Sequence, residues 1–306
     1  MRDTFILELT KLAKIDPRII LITGDLGFGV LNDYAENLPN QYINAGVAEQ
    51  NMTGMATGLA LEGKIVFTYS IGNFNTFRCL EQIRNDACYH ETNVNIISIG
   101  GGFSYGPLGY SHHATEDIAI MRALPNLRVF TPSECWEVKE IVKNMIEHRG
   151  VSYLRIDKSS ASSTKDSERL FQVGKARIVK DGKDLSIIAC GGILDIALSA
   201  SLFFAKEGIS IRVISVHSIN PFDEQIVIDC ALNTGGIITL EEHSLKGGLG
   251  SLVCETLVKN NILPKKFKMM GLESKFSTIV GSQSYLRDKN NIGLDSIKKN
   301  IKLLLN

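Results

Sequence analysis

Short runs of apolar, often β-branched residues alternate along this chain with stretches whose apolar positions recur at helical spacing. Residues 4–13 carry the helical pattern until Asp16-Pro17 interrupts it, and 18–23 (Arg-Ile-Ile-Leu-Ile-Thr) reads as a buried strand stopping at Gly24-Asp25. The alternation then predicts a helix of small residues over 50–61, a strand over 64–69, a long helix over 74–89 and a strand over 93–99. It continues with a helix at 116–122, a strand at 127–131, a helix at 134–147 and a strand at 152–156. Helices set between such strands imply a mainly parallel sheet covered on both faces.

A polar tract over 158–169 (Lys-Ser-Ser-Ala-Ser-Ser-Thr-Lys-Asp-Ser-Glu-Arg) adds little to any core and reads as a linker. Beyond it lie a strand over 185–190, a helix over 193–207, a strand over 209–215 and a helix over 223–231. A strand over 236–240 follows, then a loop over 241–248 and a helix reaching Val258. The expected architecture is therefore α/β in two domains, 1–157 and 170–306, each a mainly parallel sheet flanked by helices. No short-period repeat or low-complexity segment intervenes.

Composition narrows the function. The chain has 306 residues, and its 33 basic and 33 acidic side chains give no long-range field to favour nucleic acid or an anionic membrane. Six scattered cysteines (Cys79, Cys88, Cys135, Cys190, Cys230, Cys254) form no CxxC pair and read as reduced core thiols, not zinc ligands. Met1-Arg2-Asp3-Thr4 does not open a signal peptide, and no apolar run nears the ~20 residues of a membrane span. A cytoplasmic location is expected.

The chemistry concentrates in Ile43-Asn44-Ala45-Gly46-Val47-Ala48-Glu49-Gln50-Asn51-Met52, where one carboxylate stands behind a small-residue turn and opens a Gly/Ala-rich helix. Two readings of Glu49 follow from the residues alone. A partly dehydrated carboxylate there could share a proton with a heterocyclic nitrogen. It could equally be an ordinary helix-opening glutamate favoured by the dipole. Gly54, Ala56, Gly58 and Ala60 leave one helix surface nearly without bulk, as expected beneath a cofactor or at a subunit interface. The Gly100-Gly101-Gly102 run and Gly106, Pro107 and Gly109 follow a strand end, where ligands of α/β folds lie, with His112-His113 beside them. No carboxylate or cysteine stands at a convincing spacing to make that pair a metal site.

The string from Asn44 to Met52 resembles the pyrimidine-binding domain of thiamine diphosphate enzymes of the transketolase type. The resemblance extends through Gly63-Lys64-Ile65-Val66-Phe67, Glu81-Gln82-Ile83-Arg84, the segment Gly109 to Asp117, and Pro125-Asn126-Leu127-Arg128-Val129 up to Pro132. It continues in Glu241-Glu242-His243 and Gly247-Gly248-Leu249-Gly250, so it covers essentially the whole chain. It implies that Glu49 contacts N1′ of the coenzyme's aminopyrimidine and promotes its imino form. It also implies that Ile71, Phe74 and Phe77 line that ring, Phe74 by stacking. By the same resemblance His112 contacts the substrate oxygen, and Arg155 matches an arginine near an acceptor phosphate, the other possibility being a structural ion pair with Asp157.

Two departures matter. Leu108 stands four residues before His112, where many sugar-specific members place an aspartate that reads a donor hydroxyl. The Gly-Asp-Gly motif that binds Mg²⁺ beside the diphosphate is missing, Gly24-Asp25-Leu26 being the nearest string, so the chain should supply no metal ligand and only half of the coenzyme site. The expected protein is the C-terminal subunit of a split transketolase, moving a two-carbon ketol unit from a ketose to an aldose sugar or sugar phosphate. It would pair with itself and with a separate N-terminal, diphosphate-binding subunit in an α2β2 heterotetramer. The alternatives are the β subunit of a decarboxylating 2-oxo acid enzyme, a condensation of the deoxyxylulose phosphate synthase kind, and a non-catalytic scaffold.

Overall fold

In the chain's first half the apolar runs become the inner strands of one sheet. The computed structural model describes residues 1–162 and 170–306. Helix α1 (Arg2–Ala13) leads to β1 (Ile19–Thr23), then come α2 (Asn32–Asn37), β2 (Tyr42–Asn44), α3 (Glu49–Leu61) and β3 (Ile65–Ile71). After these follow α4 (Leu80–Gln82), β4 (Val94–Ile99), α5 (Asp117–Arg122), β5 (Leu127–Phe130), α6 (Cys135–Glu147) and β6 (Val151–Ile156). The strands β1, β4 and β6 are buried at every position, which suits central strands of a parallel sheet covered on both faces. Helices α1 and α6 bring Phe5, Leu9, Val138 and Ile141 to one face, against Ile19, Leu21 and Phe67. On the other face α3 and α5 set Met52, Ala56, Ile118 and Met121 against Ile20, Ile22 and Val66, each fully buried aliphatic side chain contributing about 1.5–3 kcal/mol.

The second half supplies β7 (Arg177–Lys180), β8 (Leu185–Ala189), α7 (Leu194–Ala205), β9 (Ile211–Ser215), β10 (Ser218–Asn220) and α8 (Glu224–Asn233). It ends with β11 (Ile237–Ser244), α9 (Leu249–Lys259), β12 (Phe267–Leu272), α10 (Gln283–Lys289) and α11 (Leu294–Leu305). Two sheets result, in the orders β10-β5-β6-β4-β3-β1-β2 and β12-β11-β8-β9-β7. Both are parallel except at one edge, where β10 pairs antiparallel with β5 and β7 antiparallel with β9. The α/β expectation of two mainly parallel sheets holds, with one addition: the edge strand β10 of the first sheet comes from the second half of the sequence. One apolar cluster also runs across the junction, joining Ile20, Met52 and Ile118 to Ile188, Ile214 and Val227.

Three expectations change. The helix over 74–89 is instead a series of turns to residue 79, then α4, then a π-helix over Ile83–Cys88. Buried Asn75 explains the delay: its side-chain amide donates to Ile97 O and its carbonyl accepts from Ser98 Oγ, fixing the turn to β4 in place of helical bonds. The loop over 241–248 starts later, because β11 runs through Glu241, Glu242 and His243 to Ser244. Of the linker over 158–169, residues 163–169 lie outside the described residues, while Ala161 is buried and donates to Ser133 O at 2.8 Å. Four cysteines are buried as expected, but Cys135 is exposed and Cys254 half-buried, all of them free. Among the described residues no helix is long and apolar enough to cross a membrane.

Candidate active site

The chain leaves β1 toward β2 on one side and returns past β1 to β3 on the other, so the crevice at the carboxyl ends of β1 and β3 is the sheet's topological switch point. Glu49 opens α3 beside that crevice. Its approach is braced by Asn44, whose carbonyl accepts from the N–H groups of Asp25 and Gly46 and whose amide donates to the Asp25 carboxylate at 2.9 Å. Asp25 thereby closes a turn. A Cβ on Gly24 would lie 3.7 Å from Glu49 Oε1, in ordinary contact, so the turn passes directly beside the carboxylate.

Glu49 is only 4% exposed, and both of its oxygens accept from Arg78 Nη1, at 3.2 and 3.1 Å. The Arg78 guanidinium carbon stands 4.1 Å from the Phe74 ring centroid, so the cation lies over the aromatic face. The same ring meets His112 edge-on at 5.1 Å, and Tyr105 approaches His112 at 6.3 Å. Glu49, Arg78, Phe74 and His112 thus form one connected set, with the half-buried Ile71 at the end of β3. His112 is carried by two tight turns, Gly106–Leu108 and Tyr110–His112, separated by Gly109 at φ 80°. The side chain of Asn73 donates to the carbonyls of Tyr110 and Ser111, tying this loop to the segment that bears Phe74. Burial, and then the nearby Arg78 cation, lower the pKa of His112, which favours neutral imidazole. His113 turns away: it is buried edge-on to Phe103, and its Nε2 lies 3.3 Å from Gly106 O.

The remaining expected site residues divide. Leu108 is 56% exposed on the first tight turn, within the loop that carries His112. Phe77 is 37% exposed and faces a separate cavity of about 160 Å³, lined also by Asn73, Phe103, Tyr110 and Phe276. It does not join Phe74. Arg155 is 1% exposed, with Nε 3.0 Å from Asp117 and Nη1 3.5 Å from Asp157, and its Nη2 donates to the carbonyls of Ala114 and Glu242. This is the ion pair the sequence allowed, enlarged by Asp117. Sealed in that way, Arg155 presents almost no surface to solvent, and its partners support the structural ion pair over a phosphate contact. Burial opposes its charge, but Asp117 and Asp157 outweigh that and hold its pKa above the ordinary value.

The glycine run after β4 serves the same buried cluster. A Cβ on Gly101 would come within 2.1 Å of Asp157 Oδ1, and one on Gly102 within 2.5 Å of Glu242 Oε1. Glu242 in turn accepts from Phe103 N, Gln283 and Arg287, so it clamps the loop to α10. Its neighbour Glu241 accepts from Leu249 N and Gly250 N at the start of α9, yet burial raises its pKa to about 7. On α3, Ala56 is packed in the core and unavailable to a partner, whereas Gly54 and Gly58 would carry a Cβ into open space.

Two residues escaped the sequence reading. Arg78 has one recognisable signal: it is the single charged residue between Ser70 and Leu80, set among aromatic side chains. Asn73 has none, because its role is set by a loop 37 residues away. A concavity of about 650 Å³, lined by Arg128, Arg149 and Asn220, lies at the amino ends of β5 and β6. Ligands of parallel α/β sheets bind at the carboxyl ends, and the chemistry points there too.

Chemically, the set can hold a planar nitrogen heterocycle: a carboxylate for a ring N–H, an aromatic face for stacking, and a neutral imidazole beside it. Among the described residues no group of three or more His, Cys, Asp or Glu could hold a metal ion.

Two family models match successive parts of the chain. Residues 1–163 match the model of the transketolase pyrimidine binding domain, and 174–286 that of the transketolase C-terminal domain. The chain is 37% identical over 263 residues to one of the subunits of apulose-4-phosphate transketolase of Phocaeicola vulgatus, covering 85% of this chain and 84% of that one. It is 33% identical over 290 residues to the 6-deoxy-6-sulfo-D-fructose transketolase subunit SqwH of a Clostridium species, covering 94% and 89%. Among solved structures, one described as a split gene transketolase, inactive beta4 tetramer, superposes with a TM-score of 0.89 at 33% identity, covering 99% of this chain and 97% of that one.

Proposed function

The chain belongs to the transketolase family as a C-terminal subunit of the split form, and from that premise we propose how its residues act and what completes its site. The family depends on thiamine diphosphate, which when bound supplies a thiazolium carbon able to carry the two-carbon unit between sugars. The residues present fit its pyrimidine end alone. Glu49 would hold a proton at the ring nitrogen, Phe74 would stack on the ring and Ile71 would fill the space beside it. His112, neutral near physiological pH, would take and return a proton at the sugar oxygen. With no metal-ligand cluster among the described residues, and with Asp25 committed to Asn44, Mg²⁺ and the diphosphate would be held by a separate N-terminal subunit.

The carrying observation is the switch-point crevice itself, where Glu49, Phe74 and His112 are brought together from three separate segments. Val47, Leu108 and Tyr110, which lie next to Glu49 and His112 in sequence, are all exposed, as expected of a surface that a partner covers. The open Gly54 and Gly58 of α3 favour self-association of this chain within an α2β2 assembly in the cytoplasm. The folding units would be residues 1–157 and 170–306 joined by 158–169, with β10 lent back to the first. The relatives are named for a ketose phosphate and a sulfo-sugar. A ketose donor is the substrate class we assign here too, read without a carboxylate at Leu108. Light scattering should give at least a dimer for the purified chain and a larger complex once the diphosphate-binding subunit is added. Transfer activity, with thiamine diphosphate and Mg²⁺, should appear only in that complex. A monomer that transfers the unit unaided would overturn the assignment.

A further inference from the structure

The contacts of Arg78 are those expected of the coenzyme ring. A guanidinium is planar and delocalised, stacks on aromatic faces and directs its N–H donors to carboxylates. Arg78 does both, over Phe74 at 4.1 Å and onto both oxygens of Glu49 at 3.1 and 3.2 Å. An aminopyrimidine held by Glu49 and stacked on Phe74 would need the same carboxylate and, on that side, the same ring face. At a stacking distance there is no space between guanidinium and phenyl ring for a second planar group.

We propose that Arg78 is a displaceable occupant of the pyrimidine half-site, a gate that holds Glu49 and Phe74 until the coenzyme ring replaces it. The proposal rests on the reading of Glu49 and Phe74 as coenzyme contacts. Three features make displacement feasible. Arg78 lies in the turns before α4 and not in regular helix, so its side chain is not held by a neighbouring helical turn. The side chain is 47% exposed, so its charge can move into water at small desolvation cost, whereas the Glu49 side chain is 3% exposed and cannot follow. Among the described residues its one ionic partner is Glu49, in contrast to Arg155 with two carboxylates and two carbonyls. The gate keeps a buried carboxylate paired while no ring is there to meet it. It also lowers apparent coenzyme affinity by the fraction of time that Arg78 is in place.

The test is titration calorimetry of thiamine diphosphate, with Mg²⁺, into the chain assembled with its diphosphate-binding subunit. Arg78→Met should bind about five- to tenfold more tightly than wild type, the range for loss of a partly exposed ion pair and its stacking. Arg78→Lys should fall between them, because an ammonium keeps the charge but loses the planar fork. In a Glu49→Gln background the effect of Arg78→Met should shrink to less than about twofold, because the two residues act as a coupled pair. Unchanged or weaker binding by Arg78→Met, with wild type still binding, would overturn the gate alone and make Arg78 a positioning residue for Glu49. If the wild-type assembly binds no thiamine diphosphate, the reading of Glu49 falls and the gate with it.

Discussion

Arg155 and Arg78 both sit toward the carboxyl edge of the first sheet, and they are built on opposite rules. Arg155 is sealed from solvent with two carboxylates and two carbonyls around it, and its neighbours Asp117 and Asp157 are bonded onward to Tyr153 and Gly192. Arg78 is half in solvent, with a single carboxylate and one aromatic face among the described residues. A charge that holds two domains together is buried among several partners; a charge beside a reacting group keeps a way out. Burial and the number of partners, rather than residue type, separate the structural cluster from the chemical one.

Removing Arg155 should have the largest effect. Arg155→Met leaves Asp117 and Asp157 buried without their cation and should cost about 3–5 kcal/mol in urea unfolding, as expected for a broken buried pair. A loss under about 1 kcal/mol would erase the contrast. Glu49→Gln should do the reverse. Its unfolding free energy should stay within about 1 kcal/mol of wild type, while solvent deuterium exchange at the coenzyme's thiazolium C2 in the assembled complex slows by at least ~10²-fold. Normal exchange and turnover in that variant would return Glu49 to the role of a helix-opening residue.

The contrast between Glu49 and Arg155 was not legible in the sequence, although much around it was. The inner strands were readable because Ile19–Thr23 and Val94–Ile99 are buried throughout, and burial on both faces leaves an apolar run. The same logic hid β11: Glu241, Glu242 and His243 read as a loop, yet the two carboxylates are matched inside the protein by α9, α10 and the Phe103 loop, and His243 accepts from Ala119 N of α5. The place of Glu49 at the mouth of α3 was legible through its motif, and that of Phe74 beside it only through the family resemblance of its segment. The place of Phe77 was not, because turns in place of a helix over residues 72–79 set it on a different side from Phe74. Arg155 was ambiguous for a simple reason: an arginine at a strand end looks the same whether its partners are protein or phosphate, and Asp117, the partner that favours the ion pair, lies 38 residues away.

Smaller effects sharpen the picture. His112→Ala should leave C2 exchange intact but lower turnover by about tenfold, less than a full acid–base contribution because a half-exposed imidazole can be partly replaced by water. The pKa of His112 is lowered by burial and by Arg78, so its proton-accepting form persists into more acidic solution. The acid limb of the turnover profile should therefore lie below the usual histidine value of about 6.5, and a limb at or above that value would remove His112 from the proton path. Smallest is the aromatic pair. Phe74→Ala should weaken coenzyme binding by about two- to tenfold through lost stacking, and Phe77→Ala by less than about twofold. Equal losses in calorimetry would put both rings on the coenzyme.

The return of β10 to the first sheet has a consequence for the nascent chain. Six strands of that sheet are complete once Ile156 has been made, but the seventh arrives only with Ser218–Asn220. At roughly 5–20 residues per second, β5 waits for several seconds on the ribosome with Val129 and Phe130 along an unguarded edge. A gene broken after residue 162 would make that wait permanent. The first half would be released with an open, sticky edge, and the two halves would meet only by chance.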